Sequence, residues 1–197
     1  MLIFWKERLV FLSTPKTGST SIETALESLA HVAIRRPPEL KHMPAHDFRT
    51  SYGPYLEARA GEKFTTIALM REPIDWLGSW YRYRQRDELG AKDRSTRGLD
   101  FATAALGYLA DPVARNMDVG SQAGFLCDPQ GHVAVDRLFR YERIDQFLEF
   151  LEDRLNCEII LPRLNVSPAG QTDLPANIVG RLKERFQHDY SIYNALD

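Results

Sequence analysis

The sequence has no long uninterrupted apolar run. Its N-terminal stretch MLIFWKERLVFLS carries Lys6, Glu7 and Arg8 among the apolar residues. It is too short and too charged for a membrane span, and the order of its residues is wrong for a secretion signal. No other stretch is apolar over the length that a bilayer requires. We therefore expect a soluble, cytoplasmic protein without a membrane span.

Cysteine is scarce, and the charges nearly balance. Cys127 and Cys157 are the only cysteines, without a C-x-x-C pair or a spacing typical of metal ligands. We expect buried thiols in a reducing compartment, with a disulfide as the alternative. The formal net charge of −2 argues against general affinity for nucleic acid. An anion site therefore requires a local concentration of cations.

The pattern of apolar segments predicts a single α/β domain over residues 1–197. Apolar runs without charge predict buried strands at 9–13 and 64–70, and we expect a further short strand at 136–141, before a helix. Helical spacing predicts helices at 19–31, 74–84, 101–109, 144–155 and 177–190. Thr20 and Glu23 have the spacing of a capping box in the first helix, and the Pro-rich segment 35–49 is predicted to be mostly loop. The alternation of strands and helices implies right-handed crossovers and a mostly parallel sheet.

The stretch TPKTGSTS, residues 14–21, joins the strand at 9–13 to the first helix. A strand-to-helix turn rich in Gly, Ser and Thr presents backbone N–H groups at a helix N-terminus, which is typical of a phosphate site. Lys16 adds a full charge. In the nucleoside-triphosphate loop the lysine directly follows the second glycine, whereas Lys16 precedes Gly18. An ordinary helix start without a ligand is the alternative interpretation.

A second candidate anion site follows the strand at 64–70, in the stretch REPIDWLGSWY. Arg71 ends that strand, and Ser79 lies on the side of the next helix that can face it. A guanidinium gives a phosphate two parallel hydrogen bonds, and a hydroxyl adds a third. The alternative is an arginine at a helix start and a buried serine, neither with a ligand.

Together the two stretches resemble the sulfotransferase superfamily that uses 3′-phosphoadenosine 5′-phosphosulfate (PAPS). In that family P-K-T-G-[ST]-[ST]-[ST] after a strand holds the 5′-phosphosulfate, and R-x-P-x-x-x-x-x-S-x-Y after a second strand holds the 3′-phosphate. This chain has both, in the same order and spacing. One departure is Trp76, where many members have arginine. Four further stretches resemble the carbohydrate-type and bacterial members: KHMPAHDFR, the segment 116–151, RLNVSP and HDYSIY.

The resemblance implies a P-loop-like fold with three layers (α/β/α) around a central, mostly parallel sheet. It implies transfer of a sulfuryl group from PAPS, leaving PAP, to a hydroxyl or amine of a carbohydrate or related small molecule, without a metal. Lys16 would stabilise the charge on the leaving 5′-phosphate. The implied nucleotide-binding residues are Pro15, Lys16, Thr17, Gly18, Ser19, Thr20, Ser21, Arg71, Ser79 and Arg163.

An acceptor hydroxyl has to lose its proton, and histidine has a suitable pKa near neutrality. His42 occupies the position of the histidine in the H-x-x-A segment of the family and is the first candidate base. His46 is the alternative, and Glu39 is a third candidate. A surface histidine without a catalytic role is the simpler interpretation of each.

The run YRYRQR places Arg82, Arg84 and Arg86 just after the second motif. We hypothesise that they guide an anionic acceptor, such as an acidic or sulfated sugar; a solvated charged face is the alternative. Two other functions stay open. One is a P-loop kinase, which needs a magnesium-binding Asp where this chain has Arg71. The other is a non-catalytic nucleotide-binding protein of the same fold.

Overall fold

The computed structural model describes residues 1–86, 92–162 and 173–196. These residues form an α/β fold with one five-stranded sheet in the order β3-β1-β2-β4-β5. Strands β2, β4 and β5 are parallel, whereas β1 is antiparallel to both β2 and β3, so the sheet is mixed. The strands are β1 Leu2–Phe4, β2 Leu9–Phe11, β3 Val32–Ala33, β4 Thr65–Met70 and β5 Arg137–Arg140.

The sequence prediction found β2, β4 and β5 but missed β1 and β3. β1 forms a hairpin with β2, and the charged residues Lys6, Glu7 and Arg8 lie in its turn. The charges therefore end one strand rather than interrupting a single apolar segment. β3 consists of two exposed residues at the sheet edge, which is too short for an alternating pattern to show.

The helices surround this sheet. They are α1 Ser19–Leu26, α2 Pro38–Lys41, α3 Ala45–Asp47, α4 Gly53–Ala60, α5 Pro73–Arg84, α6 Phe101–Tyr108, α7 Gln122–Leu126, α8 Ile144–Leu155, α9 Ala176–Arg185 and α10 Gln187–Asn194. A π-helical segment, Phe48–Tyr52, joins α3 to α4. The predictions at 74–84, 101–109 and 144–155 are confirmed to within one residue.

Three helix predictions were wrong. α1 ends at Leu26 rather than at residue 31, because the chain turns there and the His31 N–H then donates to the Ile3 carbonyl. Segment 35–49 contains α2 and α3 rather than mostly loop, since proline suits the first turn of a helix. The segment 177–190 holds parts of two helices, which separate at Phe186. Its fully buried ring packs against the rings of Trp76 and Tyr108.

The central strands are buried on both faces. Val10 and Met70 contribute to one apolar cluster with side chains from α4, α7 and α10. Phe11 and Leu69 contribute to a second cluster, on the other face, with side chains from α1 and α8. A third cluster joins α5, α6 and α9. Because strands covered on both faces are continuously apolar, β2 and β4 were readable from the sequence.

Both cysteines are free thiols. Cys127 is buried, and burial raises its pKa to about 11, whereas Cys157 is only partly buried. The expectation of free thiols is confirmed, and the expectation of burial holds for Cys127 alone.

A substitution at Phe147 of α8 would test the packing of the second apolar cluster. Its ring is fully buried, with centroids 5.5 Å from Phe11 and 5.4 Å from Phe139. We predict that Phe147→Ala lowers the free energy of unfolding by about 3–5 kcal/mol, measured by urea denaturation. Glu149→Ala, at an exposed position of the same helix, should change it by less than about 0.5 kcal/mol. Similar values for the two variants would contradict the packing described.

Candidate functional site

The carboxyl ends of β2, β4 and β5 lie at one edge of the sheet because these strands are parallel. The loop 12–18 follows β2, Arg71 follows β4, and Tyr141 follows β5. Ligands of open α/β sheets bind outside this edge. Both candidate anion sites of the sequence therefore open at the same edge.

The loop after β2 adopts left-handed backbone conformations at Lys16 (φ 67°) and Gly18 (φ 73°). Gly18 is the N-cap of α1 and has no side chain to bond the first N–H groups of the helix. The first backbone hydrogen bonds of α1 run from Ser21 and Ile22 to the Gly18 carbonyl, and the N–H groups that precede them have no carbonyl within the helix to bond to. The predicted capping box of Thr20 and Glu23 was wrong, because the N-cap is Gly18 and the Glu23 carboxylate bonds to Ser13 instead.

Tyr141 closes the loop from the side of β5. A Cβ atom at Gly18 would lie 2.9 Å from the Tyr141 ring, so only glycine fits at this approach. The Arg71 guanidinium carbon lies 4.7 Å from the centroid of the same ring, within the range of cation–π contacts. Tyr141 therefore lies between the two anion motifs. The sequence analysis did not include it among the site residues, although its place directly after the third parallel strand was a usable signal.

Arg71 connects the loops after β2 and β4. Its guanidinium pairs with Asp75 at 2.7 Å from Nε and 2.6 Å from Nη2, and Nη1 lies 3.4 Å from the Lys16 carbonyl. The side-chain amide of Gln122 accepts from the Arg71 N–H and donates to its carbonyl. Both the backbone and the guanidinium of Arg71 are thus held in place.

Ser79 and Trp76 lie on α5, one turn apart. Ser79 is buried and lines the same cavity as Arg71; within the described ranges its hydroxyl makes no hydrogen bond. Trp76 is buried, and its indole N–H donates to the Pro15 carbonyl at 3.0 Å. Trp76, which departs from the family pattern, therefore holds the loop after β2 in place through this hydrogen bond.

These elements enclose a cavity of about 1110 Å³. Its lining contains nine cationic side chains and no Asp or Glu among the described residues. In a chain with a formal net charge of −2, this is the local concentration of cations that an anion site requires. The cationic residues are Lys16, Arg35, Arg36, Lys41, Arg71, Arg82, Arg84, Arg86 and Arg94.

Most of the predicted site residues meet in this cavity. Thr17 does not line it; its buried hydroxyl donates to the Thr14 carbonyl. Arg163 lies outside the described residues, as does the RLNVSP stretch around it. Arg35, Arg36 and Lys41 were missed, although two adjacent arginines beside the candidate base were a signal in the sequence. The predicted residues that line the cavity are Pro15, Lys16, Gly18, Ser19, Thr20, Ser21, His42, Arg71 and Ser79.

Lys16 lies in surroundings that disfavour its charge. Its Nζ is 3.9 Å from the centroid of the Tyr83 ring and 5.5 Å from that of Trp80. Burial, with repulsion from Arg86, Arg71 and Arg82, lowers the pKa of Lys16 to about 7. An anion bound beside Lys16 would oppose these effects and raise the pKa again.

His42 is placed as a neutral base. Its Nδ1 lies 2.6 Å from the Ser13 carbonyl. Since a carbonyl can only accept, Nδ1 carries the proton, and in the neutral ring Nε2 keeps the lone pair. Burial lowers the pKa of His42, assisted by Lys41 and opposed by the Ser13 hydrogen bond. His46, on α3, and Glu39, on α2, do not line the cavity.

Arg82, Arg84 and Arg86 all line the cavity, but their contacts differ. Arg82 pairs weakly with Asp75 at 3.4 Å. Arg84 is buried and donates to the carbonyls of Arg115 and Asp118, so it ties α5 to the segment after α6. The alternation of arginines has a period of two, whereas the helix has a period of 3.6. Arg86, just beyond α5, lines the cavity near the Tyr83 ring.

No protein-family model matches this chain, and no curated protein matches it. Within residues 1–86, 92–162 and 173–196, no group of three or more His, Cys, Asp or Glu side chains could hold a metal ion. In the same ranges no helix has the length and apolar character needed to cross a bilayer.

We expect the buried charge of Lys16 to lower the free energy of unfolding. The pKa of Lys16 is about 7 in the folded chain, whereas the ordinary value for lysine is 10.5, so between these values the unfolded chain binds more protons, and stability rises with pH. The cost is therefore largest below about pH 7. We predict that Lys16→Met raises the free energy of unfolding by about 2 kcal/mol near pH 6 and by progressively less toward pH 10.

Urea denaturation at several pH values measures this difference. Lys63→Met, at an exposed lysine outside the cavity, is the matched control and should show no such pH dependence. A Lys16→Met protein less stable than the parent at every pH would contradict the proposed cost of this charge.

Proposed function

We propose that this chain is a sulfotransferase that moves a sulfuryl group from PAPS to a hydroxyl or amine of an acceptor, with a P-loop-like, three-layer α/β/α arrangement. The observation that supports it is the convergence of two motifs on one cavity. The Lys16 loop after β2 and the Arg71–Ser79 pair after β4 open into a space lined by nine cations. A nucleotide with phosphates at both ends requires two such sites.

The loop after β2 suits the 5′-phosphosulfate. The N–H groups at the start of α1, the hydroxyls of Ser19 and Thr20, and the Lys16 ammonium would share the charge that develops on the leaving phosphate. Arg71 and Ser79 would hold the 3′-phosphate. Since Asp75 occupies Nε and Nη2 of Arg71, Nη1 is the nitrogen that is best placed to reach a phosphate.

His42 suits the role of general base. Its lowered pKa keeps the ring neutral near pH 7. The lone pair on Nε2 can then take the proton from the hydroxyl of the acceptor. The cavity volume of about 1110 Å³ lies just above the usual range of about 300–1,000 Å³ for small-molecule sites, as a site for a nucleotide and an acceptor would require. The protein would contribute mainly alignment and charge stabilisation, as in phosphoryl transfer.

Two features disfavour a P-loop kinase. The position where a kinase holds magnesium at the end of the second strand carries Arg71, and Asp75, four residues later, is paired with Arg71 and Arg82. A non-catalytic nucleotide-binding protein remains the second candidate, because the same cavity could bind a nucleotide without reaction.

Nucleotide binding provides the first test. PAP without magnesium should stabilise the chain by roughly 2–3 kcal/mol at a hundredfold excess over Kd, measured by thermal shift. Lys16→Ala and Arg71→Ala should each weaken PAP binding by about tenfold or more, since each removes a charge-assisted contact. Lys63→Ala serves as the control and should bind PAP normally.

The same assay separates the candidates. Greater stabilisation by ATP with magnesium than by PAP would favour a kinase. PAP binding without transfer of label from ³⁵S-PAPS to any acceptor in a broad screen would favour the non-catalytic protein. Where transfer occurs, Lys16→Ala should abolish it.

Of the residues proposed to guide an anionic acceptor, we now favour Arg86, because the guanidinium of Arg84 is held by two backbone carbonyls. With an acceptor identified by the screen, Arg86→Glu should raise its KM by about tenfold through charge repulsion and change PAP affinity less. Arg84→Ala should instead lower the free energy of unfolding by about 1–3 kcal/mol, since two carbonyls lose their donor. An unchanged acceptor KM in Arg86→Glu would remove this role.

A further inference from the structure

Glu23 is a buried carboxylate beneath the candidate site that the proposed chemistry does not use. It lies on α1 with its side chain 1% exposed. Its Oε1 accepts from the Ser13 hydroxyl at 2.7 Å and from the Met1 amino group at 3.1 Å. Its Oε2 pairs with Lys41 Nζ at 2.9 Å. Glu23 therefore contacts three separate segments: the residue before β1, the loop after β2, and α2.

Two of these contacts lead directly to His42. Ser13 provides the carbonyl that receives His42 Nδ1 at 2.6 Å, and its own hydroxyl is held by Glu23. Lys41 precedes His42 in the chain, and its ammonium is held by the other oxygen of Glu23. The Ser13 carbonyl and the backbone that carries the His42 ring are thus fixed by one carboxylate.

Glu23 is ionised despite its burial. Burial opposes the charge, but the Lys41 ammonium, the Ser13 hydroxyl and the Met1 amino group together lower its pKa. Removing one partner of such a buried pair is costly, because a charge remains without compensation. A buried, ionised carboxylate can thus hold both neighbours of His42 with charge-assisted contacts.

We propose that Glu23 is a positioning residue that links the loop after β2 to His42, the candidate base. Through Ser13 and Lys41 it holds His42 in the tautomer with the proton on Nδ1, so that Nε2 accepts the proton of the acceptor. α1, which begins at the end of the loop after β2, thereby sets the orientation of the His42 ring. The term base depends on the function proposed above, whereas the effect on the tautomer does not.

The direction in which each charged neighbour shifts the pKa of His42 provides a test of the proposal. Lys41, on the neighbouring position, and the Met1 amino group, from β1, lower the pKa of His42, whereas Glu23, from α1, raises it. Glu23→Gln should therefore lower the pKa of His42 and increase the population of the Nε2–H tautomer. Lys41→Met should move the pKa of His42 in the opposite direction.

Long-range ¹H–¹⁵N NMR of the histidine rings in the full chain reports both quantities without any ligand. Glu27→Gln is the matched control, because Glu27 follows on the same α1 segment and pairs with Arg35 at the surface; the His42 resonances should not change. A folded Glu23→Gln protein with an unchanged His42 tautomer and pKa overturns the proposal. If Glu23→Gln does not fold, Lys41→Met decides it, and an unchanged His42 pKa in that variant overturns it equally.

Kinetics add a second measurement. Glu23→Gln should lower kcat for sulfuryl transfer by roughly tenfold, with the KM for PAPS nearly unchanged, and move the acidic limb of the pH profile to lower pH. A loss of PAP affinity with an unchanged pH profile would indicate a structural role and overturn the proposal. Failure of the wild-type chain to transfer sulfate would refute the proposed function instead, and the NMR result would still decide the role of Glu23.

Discussion

The parallel pairing of β2 with β4 is the constraint on which the site depends. It brings the loop around Lys16 and the turn at Arg71, which are distant in sequence, to the same edge of the sheet. Two side-chain contacts then lock the loops together, from Arg71 to the Lys16 carbonyl and from Trp76 to the Pro15 carbonyl. Without this register the two motifs would be separate helix starts and would not open into one cavity.

Collecting so many cations opposes folding, and among the described residues the repulsion is offset by groups other than carboxylates in the cavity lining. Asp75 lies outside the lining and pairs with Arg71 and Arg82. Backbone carbonyls take the charge of Arg84. Among the residues that the structure describes, the contacts of the Lys16 ammonium are with the aromatic rings of Trp80 and Tyr83, and burial lowers its pKa. The incomplete compensation at Lys16 is what an anionic ligand can relieve.

The sequence revealed the parts of the fold in which local and tertiary preferences agree. β4 is apolar because both of its faces are buried, and α8 has an apolar stripe against the sheet, so both were predicted closely. The break at Phe186 was not predictable, because it depends on the ring contacts with Trp76 and Tyr108. Glu23 was misread as half of a capping box since the local spacing fits, whereas its partners come from segments distant in sequence. Candidate site residues were found where a motif marks them, whereas Tyr141, which only its place after β5 marks in the sequence, was missed.

Lys16 and His42 share one electrostatic property, since burial lowers the pKa of each. The consequences differ because the two side chains would have opposite tasks. A lysine that stabilises a leaving phosphate has to be protonated, whereas a histidine that accepts a proton has to be neutral. An anion bound in the cavity would raise both pKa values. Lys16, whose pKa is about 7, would then gain its full charge near neutrality. Burial, Lys41 and the Met1 amino group lower the pKa of His42, whereas the Ser13 hydrogen bond and Glu23 raise it. The ion pair of Glu23 with Lys41 therefore places two charges of opposite effect beside the His42 ring.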